Sequence, residues 1–398
     1  MFIEQSVARR RVVRLLFVAF GLLPCAALAG VAWWRQSVGH VAAVAREAAA
    51  QLGVSVTIDR VVHPRPGVMR LSGVVVGGVL VVPDMEVETT AAEVRLRVPV
   101  VDCAPAGARL LAGVAGEWLA HAARYPRSWV IDVGEVVWLT ENERRISAGG
   151  WHIECVAADD ARAVRLRREP ATADEIRVRR GVDGLAVEAT LEAGVPASIV
   201  AASTAGGEVW ADMLGPRAVV RGTMQAVRRA DGWTGQATGR VDGIDLTAAF
   251  PGGGRRMQGE ATLAVTALEF ASGRLDRCDL EIAAAGGMIA QDVLDGLVSS
   301  LGCRPGPAYR ALAGDSVRRF ERISCRALLD AAGLRLRSAA GPGSGIVTSE
   351  GLVVLEESPA PVPSTRLAWL LSPAGRPPVP ASAASAWLIS VLPAGDAF

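Results

Sequence analysis

The chain has 398 residues, and its 42 basic and 41 acidic residues leave a formal charge of +1. That balance argues against a surface built to grip nucleic acid. Hydrophobic residues make up 51%, aromatic ones only 5%, and the four His and six Cys include no CxxC pair. Common zinc frameworks and thioredoxin-type redox motifs are therefore excluded, and no metal or cofactor is expected.

Arg9, Arg10, Arg11 and Arg14 precede an uncharged run from Leu15 to Trp34. The run matches the ~20 residues a helix needs to cross a bilayer. Trp33 and Trp34 stand at its far end, where indole rings favour the interface. Residues 1–14 are read as a basic cytoplasmic tip and 15–34 as a transmembrane helix, with the remainder on the other side. With Glu4 the tip carries +3, so the rest carries +1 − 3 = −2. Ala27-Leu28-Ala29 also offers a signal-peptide cleavage site, and Cys25 a lipoprotein acceptor. The apolar run continues past both, which favours a retained anchor.

Residues 35–53 are predicted to form a juxtamembrane helix, with Val38, Val41, Ala45, Ala48 and Leu52 at helical spacing and Gly53 as the stop. The period then changes to two at Val54, Val56 and Ile58. A turn is predicted at His63–Gly67, then strands at Val68–Val76 and Glu93–Val100. Residues 107–124 are predicted to be helical. Strands follow at Trp129–Thr140, Trp151–Val156, Ala163–Arg168, Glu175–Arg180 and Leu185–Leu191, then a short helix at Pro196–Ala202. Four long strands come next, at Ala218–Val227, Trp233–Ile244, Gln258–Phe270 and Gly273–Ala285, joined by turns such as Asp231-Gly232. A helix is expected at Met288–Leu301 and further strands between 318 and 356. Residues 357–398 are Pro-rich, with a short terminal helix at 381–392.

No reactive constellation emerges. The His residues (40, 63, 121, 152) have no partner at ligand spacing, GxSxG is absent, the Gly-rich stretch at 341–345 lacks the Lys-Ser/Thr of a phosphate cradle, and Gly252–Arg256 could hold an anion but reads better as a solvated loop. No catalytic residue is assigned, and the chain is not expected to be an enzyme. Five Cys lie beyond the span, and Cys303–Cys325 or Cys278–Cys303 are conceivable pairs.

The fold class read from this pattern is mainly β, with long antiparallel strands in one curled, groove-like sheet and few helices. Such strands have an apolar face that few helices are available to cover. Val94, Leu96, Val98, Leu263, Val265, Leu280 and Ile282 are the candidate groove-lining residues. An apolar groove suits acyl chains, which need no directed polar contacts. An ordinary β-sandwich core satisfies the same pattern.

Residues 49–76 (AAQLGVSVTIDRVVHPRPGVMRLSGVVV), placed after one span and a helix, resemble the start of AsmA-like envelope proteins, TamB-type members included. Residues 233–250 and 257–297, with long strands around short Gly-containing turns and then a helix, resemble the later part of such domains. The likeness covers about 45–300 and implies a taco-like groove over 54–356 in a protein anchored in a bacterial inner membrane, its bulk periplasmic. It implies a role in outer-membrane biogenesis or phospholipid handling, with membrane lipid as the main partner and envelope or outer-membrane proteins as others. The family carries no catalytic residues. Many relatives are far longer, so this chain is not expected to bridge the envelope alone. A scaffold or interaction module without lipid remains the alternative.

Overall fold

A computed structural model describes residues 7–367 apart from 122–124, 126, 140–144, 159–160, 170–172, 182–183, 203–211, 250–256 and 311–315. The tip before Val7 and the tail beyond 367, including its expected terminal helix, lie outside the described residues.

The N-terminal span is helical throughout, as α1 (Val7–Phe17), a π-helical segment at Val18–Leu22 and α2 (Leu23–Arg35). The wide segment ends just before Pro24, whose missing N–H cannot continue the regular ladder. Arg11–Arg35 is long and apolar enough to cross a membrane, and none of it is buried against the rest of the molecule. Arg9, Arg11 and Arg14 are exposed at its start, and Trp33 and Trp34 at its end. The side chain of Arg10 lies outside the described residues. α3 (Val38–Leu52) follows, with Ser37 accepting from the His40 amide at 3.3 Å and Gly53 ending it at φ 75°. Val41, Val44 and Ala45 of α3 pack on the first strands.

The body is mainly β, and its 21 strands belong to one sheet. β1 (Val56–Thr57) and β2 (Arg60–Arg65) share one edge of β3 (Val68–Val76), which continues to β4 (Leu80–Thr89) and β5 (Glu93–Cys103). α4 (Pro105–Ala120) then crosses the sheet, so β6 (Ser128–Leu139) runs parallel to β5. After β7 (Arg145–Ser147) the chain meanders antiparallel through β8 (Gly150–Ala158), β9 (Ala161–Glu169), β10 (Glu175–Gly181) and β11 (Gly184–Pro196). α5 (Ala197–Ala202) leads to β12 (Val219–Arg229) and β13 (Gly232–Asp245). A helical turn at Leu246–Ala249 precedes β14 (Met257–Gln258) and β15 (Glu260–Ala271), which pair with β16 (Arg274–Ala290). The helix Gln291–Ser299 and β17 (Arg304–Pro305) lead to β18 (Val317–Asp330), β19 (Gly333–Ser338), β20 (Val347–Ser349) and β21 (Leu352–Glu356). The first and last strands do not pair with each other, so the sheet is not closed into a barrel.

Register makes one rim of the sheet different from the other. The ends of β5, β11, β13 and β16 lie on one side, and a helix or helical turn follows each. On the opposite side the strands turn back through short loops such as Arg229–Gly232 and Ala271–Arg274. Near the helical rim, Gly194, Gly243, Gly259 and Gly286 all have positive φ, on neighbouring strands or at their starts. Register slips between Leu191 and Val195 and between Val241 and Ile244 fall on the same line. These bulges bend the strands together, which curls the sheet. Gly243 shows why glycine is needed there. Its φ is 72°, and a Cβ would stand 2.8 Å from the Arg217 carbonyl oxygen.

Several sequence readings are corrected in detail. β4 was not anticipated, because Pro83 and the preceding Gly77-Gly78 obscure its alternation. The expected turn at His63–Gly67 begins only after Arg65. Pro64 is tolerated because β2 is an edge strand. The expected helix at Met288 starts at Gln291, because Met288–Ala290 complete β16 against β18. The β5–β6 pair is the parallel exception in a sheet read as antiparallel, and α4 is the crossover it requires.

Candidate functional site

Pairing across the sheet lines up its apolar residues in continuous rungs. Val187, Ala226, Gly235, Phe270 and Leu275 stand opposite one another in turn from β11 to β16. The next rung is Ala189, Met224, Ala237, Leu268, Cys278, Leu329 and Leu334. The third is Leu191, Gly222, Gly239, Val265, Leu280, Ala327 and Leu336. No charged residue interrupts them. At ~4.8 Å per strand, the two seven-strand rungs run about 29 Å. That is about twice one leaflet of a bilayer core ~30 Å thick.

The opposite face is ionic. Arg97 pairs with Glu86 at 3.0 Å, Arg167 with Glu154 at 2.8 Å, Arg179 with Glu188 at 2.6 Å and Arg326 with Asp279 at 2.6 Å. Two neighbours in sequence therefore look in opposite directions, as with Val187 and Glu188. A shallow depression of about 510 Å³ near the turns of β11–β13 gathers Glu188, Gln225, Gln236 and Glu269. Register puts these four on the ionic face, and Val187, Ala226, Gly235 and Phe270 of the first rung also line the depression.

Three apolar clusters occupy parts of the inner face. One lies under α3 and the first half of α4, with Leu71, Val87, Val98 and Trp138. A second joins Trp118 and Leu119 of α4 to Val164, Leu166, Val178 and Leu185. The third contains Phe320, Leu294, Leu301 and the β15–β18 residues. Between the second and third, Val187, Ala189, Leu191, Met224, Ala237 and Val265 belong to no cluster. They are half-buried. Of the described helices, α4 contacts β9 and β10 beside them, and α5 contacts β11 and β12 where it joins those strands. This uncovered stretch is the candidate site.

All seven groove-lining candidates fall on the apolar face. Val94, Leu96 and Val98 stand opposite Trp129, Ile131 and Val133 within the first cluster's region. Leu263, Leu280 and Ile282 pack against the third cluster, and Val265 is on the uncovered stretch. The residues of β11–β13 that complete it were missed, although the alternation Leu185, Val187, Ala189, Leu191 pointed to them.

The structure also joins groups the sequence separated. His40 and His63 meet with their Nε2 atoms 2.8 Å apart. His63 has a lowered pKa, first through burial and then through the charge of Arg35 and the His40 ring. His152 stands between Asp132 and Glu154 on the ionic face. Among the described residues, no three His, Cys, Asp or Glu groups converge as metal ligands. The six Cys are free thiols. No protein-family model, curated protein or solved structure matches the chain.

Proposed function

We propose that this is a non-enzymatic, membrane-anchored protein that holds the acyl chains of membrane lipid along the uncovered apolar rungs. The observation that carries the reading is the run of facing apolar residues from Leu191 to Leu336, free of charge and uncovered over β11–β13. A soluble domain seldom leaves such a face bare without a ligand or partner. Acyl chains gain from leaving water along such a surface and need no hydrogen bonds. The N-terminal helix would keep the sheet beside its lipid source. With Arg9, Arg11 and Arg14 before the span, the positive-inside rule puts the sheet across the membrane from the cytoplasm. A part in phospholipid handling or envelope assembly, which the resemblance to AsmA-like proteins implies, would fit this arrangement.

The test is native mass spectrometry of the detergent-extracted protein. Bound phospholipid is expected, and it should be lost in Val187→Asp and Met224→Asp variants that retain their β-sheet circular dichroism. Absence of lipid from the wild-type protein would leave a scaffold role as the better reading.

A further inference from the structure

α4 lies on the same apolar face as the candidate site, immediately beside it. It starts where β5 ends and finishes near the start of β6 at the opposite rim, so it crosses the inner face from rim to rim. Its first half contacts the N-terminal cluster through Ala108 and Leu110. Its last turn buries Trp118 and Leu119 among Ile153, Val164, Leu166 and Val178. Between these ends Leu111 is 45% exposed and Ala112, Gly113 and Gly116 are also exposed, while α5 packs against the helix from one side.

The helix has little stability of its own. Gly107, Gly113 and Gly116 each cost about 0.5–1 kcal/mol relative to Ala. A helix of 16 residues is marginal in isolation. Its N-cap, Ala104, makes no side-chain cap bond. At its C-terminal end one polar side chain adds to the packing of Trp118 and Leu119. Arg162 of β9 reaches in from the apolar face, itself buried, and donates to the Trp118 carbonyl at 2.7 Å and the Tyr125 carbonyl at 2.6 Å. Its guanidinium also lies 4.6 Å from the centre of the Trp118 ring. Positive charge at a helix C-terminus is favourable there.

We infer that α4 is a built-in strap over a second acyl-binding stretch, formed by Ile153, Val164, Leu166 and Val178, with Arg162 as its latch. Opposite pairing makes this stretch continuous with the uncovered rungs. Ile153 faces Leu166, Leu166 faces Ile176, and Ile176 faces Ala189. Lifting the last turn of α4 would extend the bare face from β11 back to β8. The helix does for these residues what an acyl chain would do, since both cover them with apolar surface. The inference rests on the lipid reading above, and its test separates the two.

Hydrogen exchange of the full-length protein in detergent, without added lipid, reads the latch alone. In Arg162→Ala, which removes two charge-assisted hydrogen bonds, the amides of the last two turns of α4 should exchange about tenfold faster or more. Amides of the helix Gln291–Ser299 should not change. Unchanged exchange in α4 would overturn the inference. So would equal acceleration in both helices, because Arg162 would then support the whole fold. A photocrosslinking residue at Leu166, with phosphatidylglycerol or phosphatidylethanolamine vesicles added, should capture lipid several-fold more in Arg162→Ala than in wild type. Capture at Val187 but never at Leu166 would overturn the strap and spare the lipid reading. Capture at neither would overturn both.

Discussion

His152 stands directly across from Asp132 on β8 and β6, with Nδ1 2.6 Å from Asp132 Oδ1 and Nε2 3.2 Å from Glu154 Oε1. Both ring nitrogens face carboxylates, an arrangement that suits the doubly protonated imidazolium. Partial burial alone would lower its pKa. Hydrogen bonds and charge from Asp132 and Glu154 together outweigh burial, and the pKa rises. The folded protein therefore keeps this proton to higher pH than the unfolded chain does. The stabilisation is fully present below the unfolded value of about 6.5 and fades as pH rises through the raised folded value. Relative to His152→Gln, wild-type protein should lose about 1 kcal/mol or less across that window, read from urea midpoints. Parallel pH profiles for the two proteins would refute the pairing.

Truncation should distinguish the packed and bare parts of the inner face. Leu294 is fully buried in the third cluster, and Leu294→Ala should cost about 2–5 kcal/mol. Leu191 is half-buried in no cluster. Leu191→Ala opens no enclosed cavity and should cost about 1 kcal/mol or less. Similar losses from both in chemical denaturation would show that a covering layer exists over β11.

Thiol chemistry reports on the same packing. Burial pushes Cys103 up to about 11 and Cys155 and Cys303 up to about 12. Burial, with a neighbouring charge added, takes Cys278 to about 11 and Cys325 to about 12. At pH 8 these thiols are protonated, and all but the half-buried Cys155 are enclosed, so they should resist maleimide for hours. Cys25 lies mid-span in the hydrocarbon, so none of the six should label quickly in the folded, membrane-inserted protein. The five beyond the span should appear on denaturation, counted by intact mass. Rapid labelling of Cys278 or Cys325 without denaturant would contradict the third cluster.

The crease can be tested at Gly243. Alanine there must adopt φ 72° and place its Cβ 2.8 Å from the Arg217 carbonyl oxygen. Gly243→Ala should lower stability by about 1–2 kcal/mol. A neutral effect in thermal unfolding would mean that the strand does not bend at that point.

The strands were legible where one face is apolar and the other polar. The alternation of Leu185, Val187, Ala189 and Leu191 and the Asp231-Gly232 turn placed β12, β13 and the start of β11 within a residue or two, while β11 runs five residues past its expected end, beyond the register slip after Leu191. Pro83 hid β4, since a proline inside an alternating run reads as a break, although β4 keeps its register with β3 and β5 on either side of it. The parallel β5–β6 pair was hidden because local period does not reveal whether a helix returns the chain in the same direction. The groove candidates Val94, Leu263 and Leu280 were found by alternation, which also puts them on one face. Which part of that face is bare depends on where α4 and the helix Gln291–Ser299 land. Arg162 gave no signal at all, because its partners are carbonyls of residues 118 and 125, far from it in the chain.

The most direct measurement compares two adjacent positions. A photoactivatable residue is placed at 187 or 188 in the full-length protein, irradiated in native membranes, and the adducts are identified by mass. Val187 is on the apolar rungs, and Glu188 is on the ionic face. Phospholipid adducts are expected at 187 and near background at 188. Equal labelling at both positions, or none at 187, would contradict an acyl-binding inner face.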